Sequence, residues 1–170
     1  MKSFKRTLVG LAVATALAAG SAQAQVSDNV VKIGVLSDMS SLYTDLAGAG
    51  SVLAAKMAVE DSGIEKRGYK VEFVSADHQN KADVGSAIAR QWYDVDKVDV
   101  IVDVPNSGVA LAVNQITKDK GKAFLVSGAA SSDLTGKACS PNTVHWTYDT
   151  WALANGTGNA ITKTGGDSGF

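Results

Sequence analysis

The run Val98-Asp99-Val100-Ile101-Val102-Asp103-Val104, followed at once by Pro105-Asn106-Ser107-Gly108, decides the fold. Seven residues dominated by β-branched side chains favour a strand, and the proline and polar pair behind them end it and can open a helix. From Ser107 to Lys120 the apolar positions Val109, Ala112, Val113 and Ile116 recur at helical spacing. Gly121 stops that helix, and Ala123 to Val126 begins another β-rich run. Two strands joined through a helix must lie parallel, because only a crossover of this length carries the chain back to the same edge.

The same unit repeats on either side. Toward the N-terminus, Val31 to Leu36 is a buried-type strand, and after a long loop a helix runs from about Gly48 to Asp61 with Val52, Ala55 and Val59 on one face. Tyr69 to Ala76 alternates as a second strand, and a helix from Ala82 to Tyr93 aligns Val84, Ile88, Trp92 and Val95 in one stripe. Toward the C-terminus, Thr143 to Thr147 gives a short fifth strand and Thr150 to Lys163 a last helix. The expected class is α/β: a Rossmann-like parallel sheet with right-handed crossovers and helices on both faces.

The N-terminus carries the three parts of a secretory signal: Lys2, Lys5 and Arg6, then the apolar run Leu8 to Ala19, then Ala22-Gln23-Ala24. Cleavage is expected before Gln25, making residues 1–24 a signal peptide. The run falls short of the ~20 apolar residues that span a bilayer, so the processed chain is expected to lie in the periplasm without crossing the membrane. Removing Lys2, Lys5 and Arg6 takes the formal charge from −1 to about −4, with no basic stripe to attract nucleic acid. Cys139 is the single cysteine, either a buried inert thiol or one whose partner lies elsewhere.

In open parallel sheets ligands bind beyond the carboxyl ends of the strands. Those ends here are small and polar: Ser37 to Tyr43, Asp77 to Asn80, Pro105 to Gly108, and Ser127 to Ser132. Asn106 or Ser107 caps the following helix, whose amide groups favour a carboxylate. Ser107 either serves its own helix alone or faces a ligand; the hydroxyl-rich Ser127–Ser132 loop beside it would complete a two-sided clamp. Trp92 is assigned to the core and His78 to an exposed loop. Tyr43 sits where an aromatic can cover a ligand, whereas Trp146, Tyr148 and Trp151 either pack at a domain edge or touch ligand.

Enzyme signatures are missing. Gly48-Ala49-Gly50 opens like a dinucleotide fingerprint, but Leu53 occupies the third glycine position. There is no Gly-x-Ser-x-Gly elbow and no phosphate-loop Gly-Lys-Ser/Thr. His78 and His145 lack ligands at metal spacing. No cofactor or metal is implied.

Three segments, Val31 to Ser40, Ala54 to Asp61 and Val98 to Val102, together resemble the periplasmic solute-binding proteins of branched-chain amino-acid-type ABC importers. The resemblance runs from about Val30 to Phe170. It implies two Rossmann-like lobes about a three-stranded hinge, a small ligand such as an amino acid or related carboxylate between them, and delivery to an ABC permease. It also implies that Ser107, Ala129 and Ser131 hold the ligand, with Tyr43 the nearest first-loop aromatic and Tyr148 a further contact. In the leucine binders a disulfide joins the segment matching 76–80 to the position of Asn106; neither half is a cysteine here.

On that basis residues 25–149 form a first, incomplete lobe and 150–170 a crossing helix toward a second lobe. The ending at Gly166-Asp167-Ser168-Gly169-Phe170 implies that this second lobe is missing and that binding is weakened. A sensor module of the same fold is the alternative, and a doubly wound enzyme the third.

Overall fold

The computed structural model describes residues 29–167, so the signal segment and the last three residues lie outside the described part. Five strands form one sheet: β1 (Val30–Ser37), β2 (Lys70–Asp77), β3 (Val100–Asp103), β4 (Ala123–Val126) and β5 (Thr143–His145). The order is β2-β1-β3-β4-β5 and every pairing is parallel. Three helices make the crossovers: α1 (Gly48–Ser62), α2 (Ala82–Asp94) and α3 (Ser107–Lys120). A last helical run comprises α4 (Thr150–Leu153), a π turn (Ala154–Gly158) and α5 (Asn159–Lys163). The expected α/β architecture is therefore present.

The ladder register separates the two faces of the sheet. Gly34, Ile101, Phe124 and Thr143 stand side by side across four strands, and the next row is Val35, Val102, Leu125 and Val144. Side chains alternate along each strand, so these rows point to opposite faces. The first face lies under α2 and α3 and holds the core: Leu36, Ile101, Phe124 and Val126 are fully buried, joined by Val109, Val113 and Ile116. Gly34 belongs to this face because Trp92 lies against it; a Cβ there would fall 2.5 Å from Trp92 Cζ3. Tyr93 ties the layer together, its hydroxyl 3.2 Å from Thr117 Oγ1 and donating to the Ala123 carbonyl.

Among the described residues the other face is covered chiefly by α1, with Ile64 just beyond its end. A cleft of about 440 Å³ remains between them, lined by Val31, Ile33 and Leu125 on the sheet and Ala55 and Val59 on the helix. Trp146 stands at its edge, 70% exposed.

α3 and β4 have the bounds expected from sequence, whereas other elements differ for local reasons. The third strand is trimmed from Val98–Val104 to Val100–Asp103, its carboxyl end set by the positive φ of Asp103 (81°) and Val104 (59°). β2 is displaced by one residue, and β5 ends at His145, before Trp146. Val95 leaves its predicted stripe: α2 ends at Asp94, and Tyr93 takes the buried place while Val95 is 62% exposed. The predicted helix 150–163 is interrupted by the π turn at Asn155-Gly156-Thr157-Gly158, where two glycines weaken the helix, and residues 150–165 are all exposed.

Candidate functional site

The strand order reverses between β1 and β3, the point where open α/β sheets form their ligand crevice. One buried carboxylate organises that edge. Asp103, at the end of β3, accepts hydrogen bonds from Ser37 Oγ (2.6 Å) on β1 and from Ser127 Oγ (2.8 Å) after β4. Ser37 Oγ also receives the Gly48 amide (2.9 Å), drawing the start of α1 onto the strand end. Gly48 has φ +48°, and a Cβ would sit 3.2 Å from the Asp38 carbonyl, so the glycine is needed for this approach. Asp103 and Val104 both hold positive φ, at 81° and 59°, a strain of about 1–3 kcal/mol per residue that persists only where the surroundings impose it.

Two further carboxylates shape the neighbouring loops. Asp38 receives Ser41 Oγ (2.6 Å) and the amides of Tyr43 (2.8 Å) and Ser41 (3.0 Å). Burial alone would raise its pKa, but these bonds outweigh burial and hold the carboxyl below its ordinary range. Asp77 is likewise lowered: burial opposes the shift, and Ser40 Oγ together with the Met39 and Gln79 amides more than offsets it.

His78 corrects the expectation of an exposed loop histidine, because it is fully buried. Its Nδ1 accepts the Asn80 amide (3.0 Å), which places the proton of the neutral ring on Nε2. Among the described residues Nε2 has no hydrogen-bond partner. Burial pushes the imidazole below its usual pKa, opposed by the negative charges of Asp38, Asp77 and Asp103.

At α3 the structure separates the roles left open by the sequence. Asn106 is the cap, its side chain accepting the Val109 amide (2.9 Å). Ser107 instead reaches across to the loop after β4, and its Oγ accepts the amides of Ala130 and Ser131, both at 3.2 Å. Both acceptor positions of that oxygen are thus filled, and its own proton has no acceptor among the described residues. The predicted pair of loops is brought together at Ser107.

The other predicted residues have distinct places. Ala129 has its side chain in the core and its carbonyl on His145 Nε2 (2.6 Å); a carbonyl can only accept, so the ring nitrogen donates. Ser131 caps the short turn Ser132–Leu134 with its side chain on the Asp133 amide. The Ala130 carbonyl accepts the Thr150 amide (2.7 Å), and Thr150 Oγ1 accepts the Ser132 amide, so the segment bearing Tyr148 is fastened to the same loop. Tyr148 is 55% exposed. Tyr43 is half-buried in the loop fixed by Asp38, and no hydrogen bond joins it to Ser107.

Sequence reasoning passed over Asp103, took the Asp77–Asn80 loop only as a polar strand end, and set His78 aside as a surface residue. The available signal for Asp103 was an aspartate at the carboxyl end of an otherwise apolar strand. Between the segment 76–80 and Asn106, where the leucine binders carry a disulfide, a side-chain hydrogen bond runs from Asn106 Nδ2 to Asn80 Oδ1 (2.5 Å). Cys139 is exposed, not buried. Among the described residues no group of three or more His, Cys, Asp or Glu could hold a metal ion, and no helix is long and apolar enough to cross a membrane.

A parallel sheet of this order, with two donor-rich loops at its carboxyl edge, has the architecture of an open α/β lobe whose ligand crevice lies at that edge. The chain belongs to the periplasmic binding protein family, whose model matches residues 30–170. It is similar to a periplasmic binding protein from Burkholderia mallei, with 47% identity and a TM-score of 0.78 over 82% of this chain and 37% of that one. It also resembles the periplasmic ligand-binding protein of a branched-chain amino acid ABC transporter from Burkholderia xenovorans, with 44% identity and a TM-score of 0.73 over 79% of this chain and 36% of that one. A solute-binding protein of an ABC transporter from R. palustris, in complex with 4-hydroxybenzoate, matches at 25% identity and a TM-score of 0.71, over 80% of this chain and 36% of that one. The chain thus spans little more than a third of these relatives. A search among curated proteins gave no match. The family and these neighbours are binding proteins, and membership of the family implies a periplasmic location.

Proposed function

We propose that this chain supplies a first ligand lobe for extracytoplasmic capture of a small carboxylate, an amino acid or aromatic acid, for delivery to an ABC permease. The observation that carries the reading is the Ser107 hydroxyl. With two amides on its oxygen, it can offer only a proton, which suits an anionic oxygen better than a cation. The Ala130 and Ser131 amides reach it at 3.2 Å, the long end of the hydrogen-bond range, and can be shared with a ligand oxygen. The cap at Asn106 leaves the α3 amides at the same spot, favouring negative charge. Ala129 contributes backbone, Ser131 its amide, and Tyr43 and Tyr148 flank the carboxylate group from the loop after β1 and the segment after β5.

The 4-hydroxybenzoate bound by one relative and the branched-chain amino acid transporter of another support a carboxylate as the shared chemistry. Residues 1–24 act as the export signal, and 150–170 lead away from the lobe. A single lobe leaves the other side of the ligand in water, so residues 25–170 alone bind weakly.

The test is an NMR titration of residues 25–170 with leucine, benzoate and 4-hydroxybenzoate. Saturable shifts at the Ala130 and Ser131 amides are expected, and Ser107→Ala should weaken binding about 10- to 100-fold, the worth of a bond to a charged group. If no member of an amino-acid and aromatic-acid panel moves those amides at millimolar concentration, the reading fails.

A further inference from the structure

We infer that Asn80 and Asn106 form a positioning pair that sets Ser107 for ligand contact, an inference that rests on the carboxylate reading of Ser107. Asn106 uses both ends of its amide. Its Oδ1 takes the Val109 N–H, which fixes the orientation of the group and leaves Nδ2 as the donor. That donor meets Asn80 Oδ1 at 2.5 Å. The start of α3 is therefore tied sideways to the loop after β2, one residue before the serine that gathers the loop after β4.

Asn80 is itself held firmly. It has φ +57°, next to Gln79 at +53°, and its amide is engaged by the buried His78 ring. Gln79 in turn gives its amide to Asp77 Oδ1 (2.7 Å). Position 80 thus needs a residue that tolerates a left-handed backbone and presents an acceptor, requirements that asparagine and aspartate meet and most residues do not. Capping alone does not need this arrangement, since the cap bond uses only Oδ1. The second bond brings three loops, after β2, β3 and β4, into one connected set: Asn80 to Asn106, then Ser107 to Ala130 and Ser131.

Three variants separate this role from general stability. Asn80→Gly keeps the left-handed backbone and removes the acceptor; Asn80→Asp keeps both; Asn106→Ser keeps a capping oxygen and removes the amide that reaches Asn80. Amide hydrogen exchange in the ligand-free protein is the direct readout, because the Ala130 and Ser131 amides report the Ser107 contact. Asn80→Gly and Asn106→Ser should each speed their exchange about fivefold, the worth of one hydrogen bond, while Val109 on the cap changes less than twofold. Asn80→Asp should restore wild-type exchange. Affinity for benzoate or leucine should fall in parallel for the first two variants.

Unchanged exchange at Ala130 and Ser131 in both Asn80→Gly and Asn106→Ser overturns the inference. So does an equal rise at every core amide, which would mean a general loss of stability. The two readings fail separately: if the exchange pattern appears but Ser107→Ala leaves ligand affinity intact, positioning stands and the ligand assignment of Ser107 falls.

Discussion

The two faces of the sheet are built from the same strands yet end in opposite states. Under α2 and α3, Leu36, Ile101, Phe124 and Val126 have no exposed surface. In the neighbouring row Val35 is buried on β1, but Val102 and Leu125 are only half-buried, Val144 is 46% exposed, and a cleft of about 440 Å³ lies open beneath α1. The difference lies in the helices. α2 and α3 present Trp92, Tyr93, Val109, Val113 and Ile116 to the sheet, whereas the side of α1 that lines the cleft offers Ser51, Ala54, Ala55, Ala58 and Val59. Small residues allow approach without filling volume, so one face supplies most of the packing energy and the other remains available.

The largest test of this contrast compares neighbours on β4. Phe124→Ala on the closed face should destabilise by about 3–5 kcal/mol, since it removes a fully buried ring and leaves a cavity. Leu125→Ala on the open face should cost about 1 kcal/mol, because the side chain is already partly hydrated. Urea unfolding followed by circular dichroism measures both. Equal losses would mean that the faces carry equal weight and the contrast is only one of appearance.

An intermediate effect is expected from His78, buried just after β2 at the carboxyl edge of the sheet. Its folded pKa is depressed, so the unfolded chain takes up the proton first as pH falls. Stability should therefore be complete above the ordinary histidine value of about 6.5 and decline as pH drops below it. Asp38 and Asp77 are also depressed, but their contribution is lost only on acidification below the usual carboxylate range near 4. His78→Gln should flatten the upper part of the profile and leave the lower part. A pH series of urea midpoints reads the difference, and an unchanged upper slope would remove His78 as its source.

The closed face was legible in the sequence and the site edge only partly so. The Ser107–Lys120 helix and the Ala123–Val126 strand keep their bounds because apolar periodicity, an asparagine cap and a terminal glycine all agree there. Asp103 was not legible as a hub. Its partners Ser37 and Ser127 lie 66 and 24 residues away in the chain and meet it only once the sheet is assembled. The burial of His78 escaped for a similar reason: a polar loop predicts exposure, but Gly85 of α2 lies directly against it, where a Cβ would stand 3.5 Å from the His78 Cβ. The pairing of the loops after β3 and β4 was visible from topology; that Asn106 caps while Ser107 crosses between loops is a matter of side-chain geometry that composition does not carry.

The smallest effect on stability should come from Trp146, at the mouth of the open cleft. Its backbone amide bonds to the Val126 carbonyl (2.9 Å), a contact that any residue except proline preserves. The indole is 70% exposed and so contributes little to folding, and Trp146→Ser should change stability by no more than about 0.5 kcal/mol. Association should respond more strongly. Trp146 adjoins half-covered apolar strands and follows β5, which among the described residues is an edge strand paired on one side only, a combination that favours self-contact. Sedimentation velocity of residues 25–170 over a concentration series should show less self-association for the serine variant. If folding weakens by several kcal/mol instead, Trp146 is packed in solution and the second face is closed; if association is untouched, the open face is not what the chain uses to meet its neighbours.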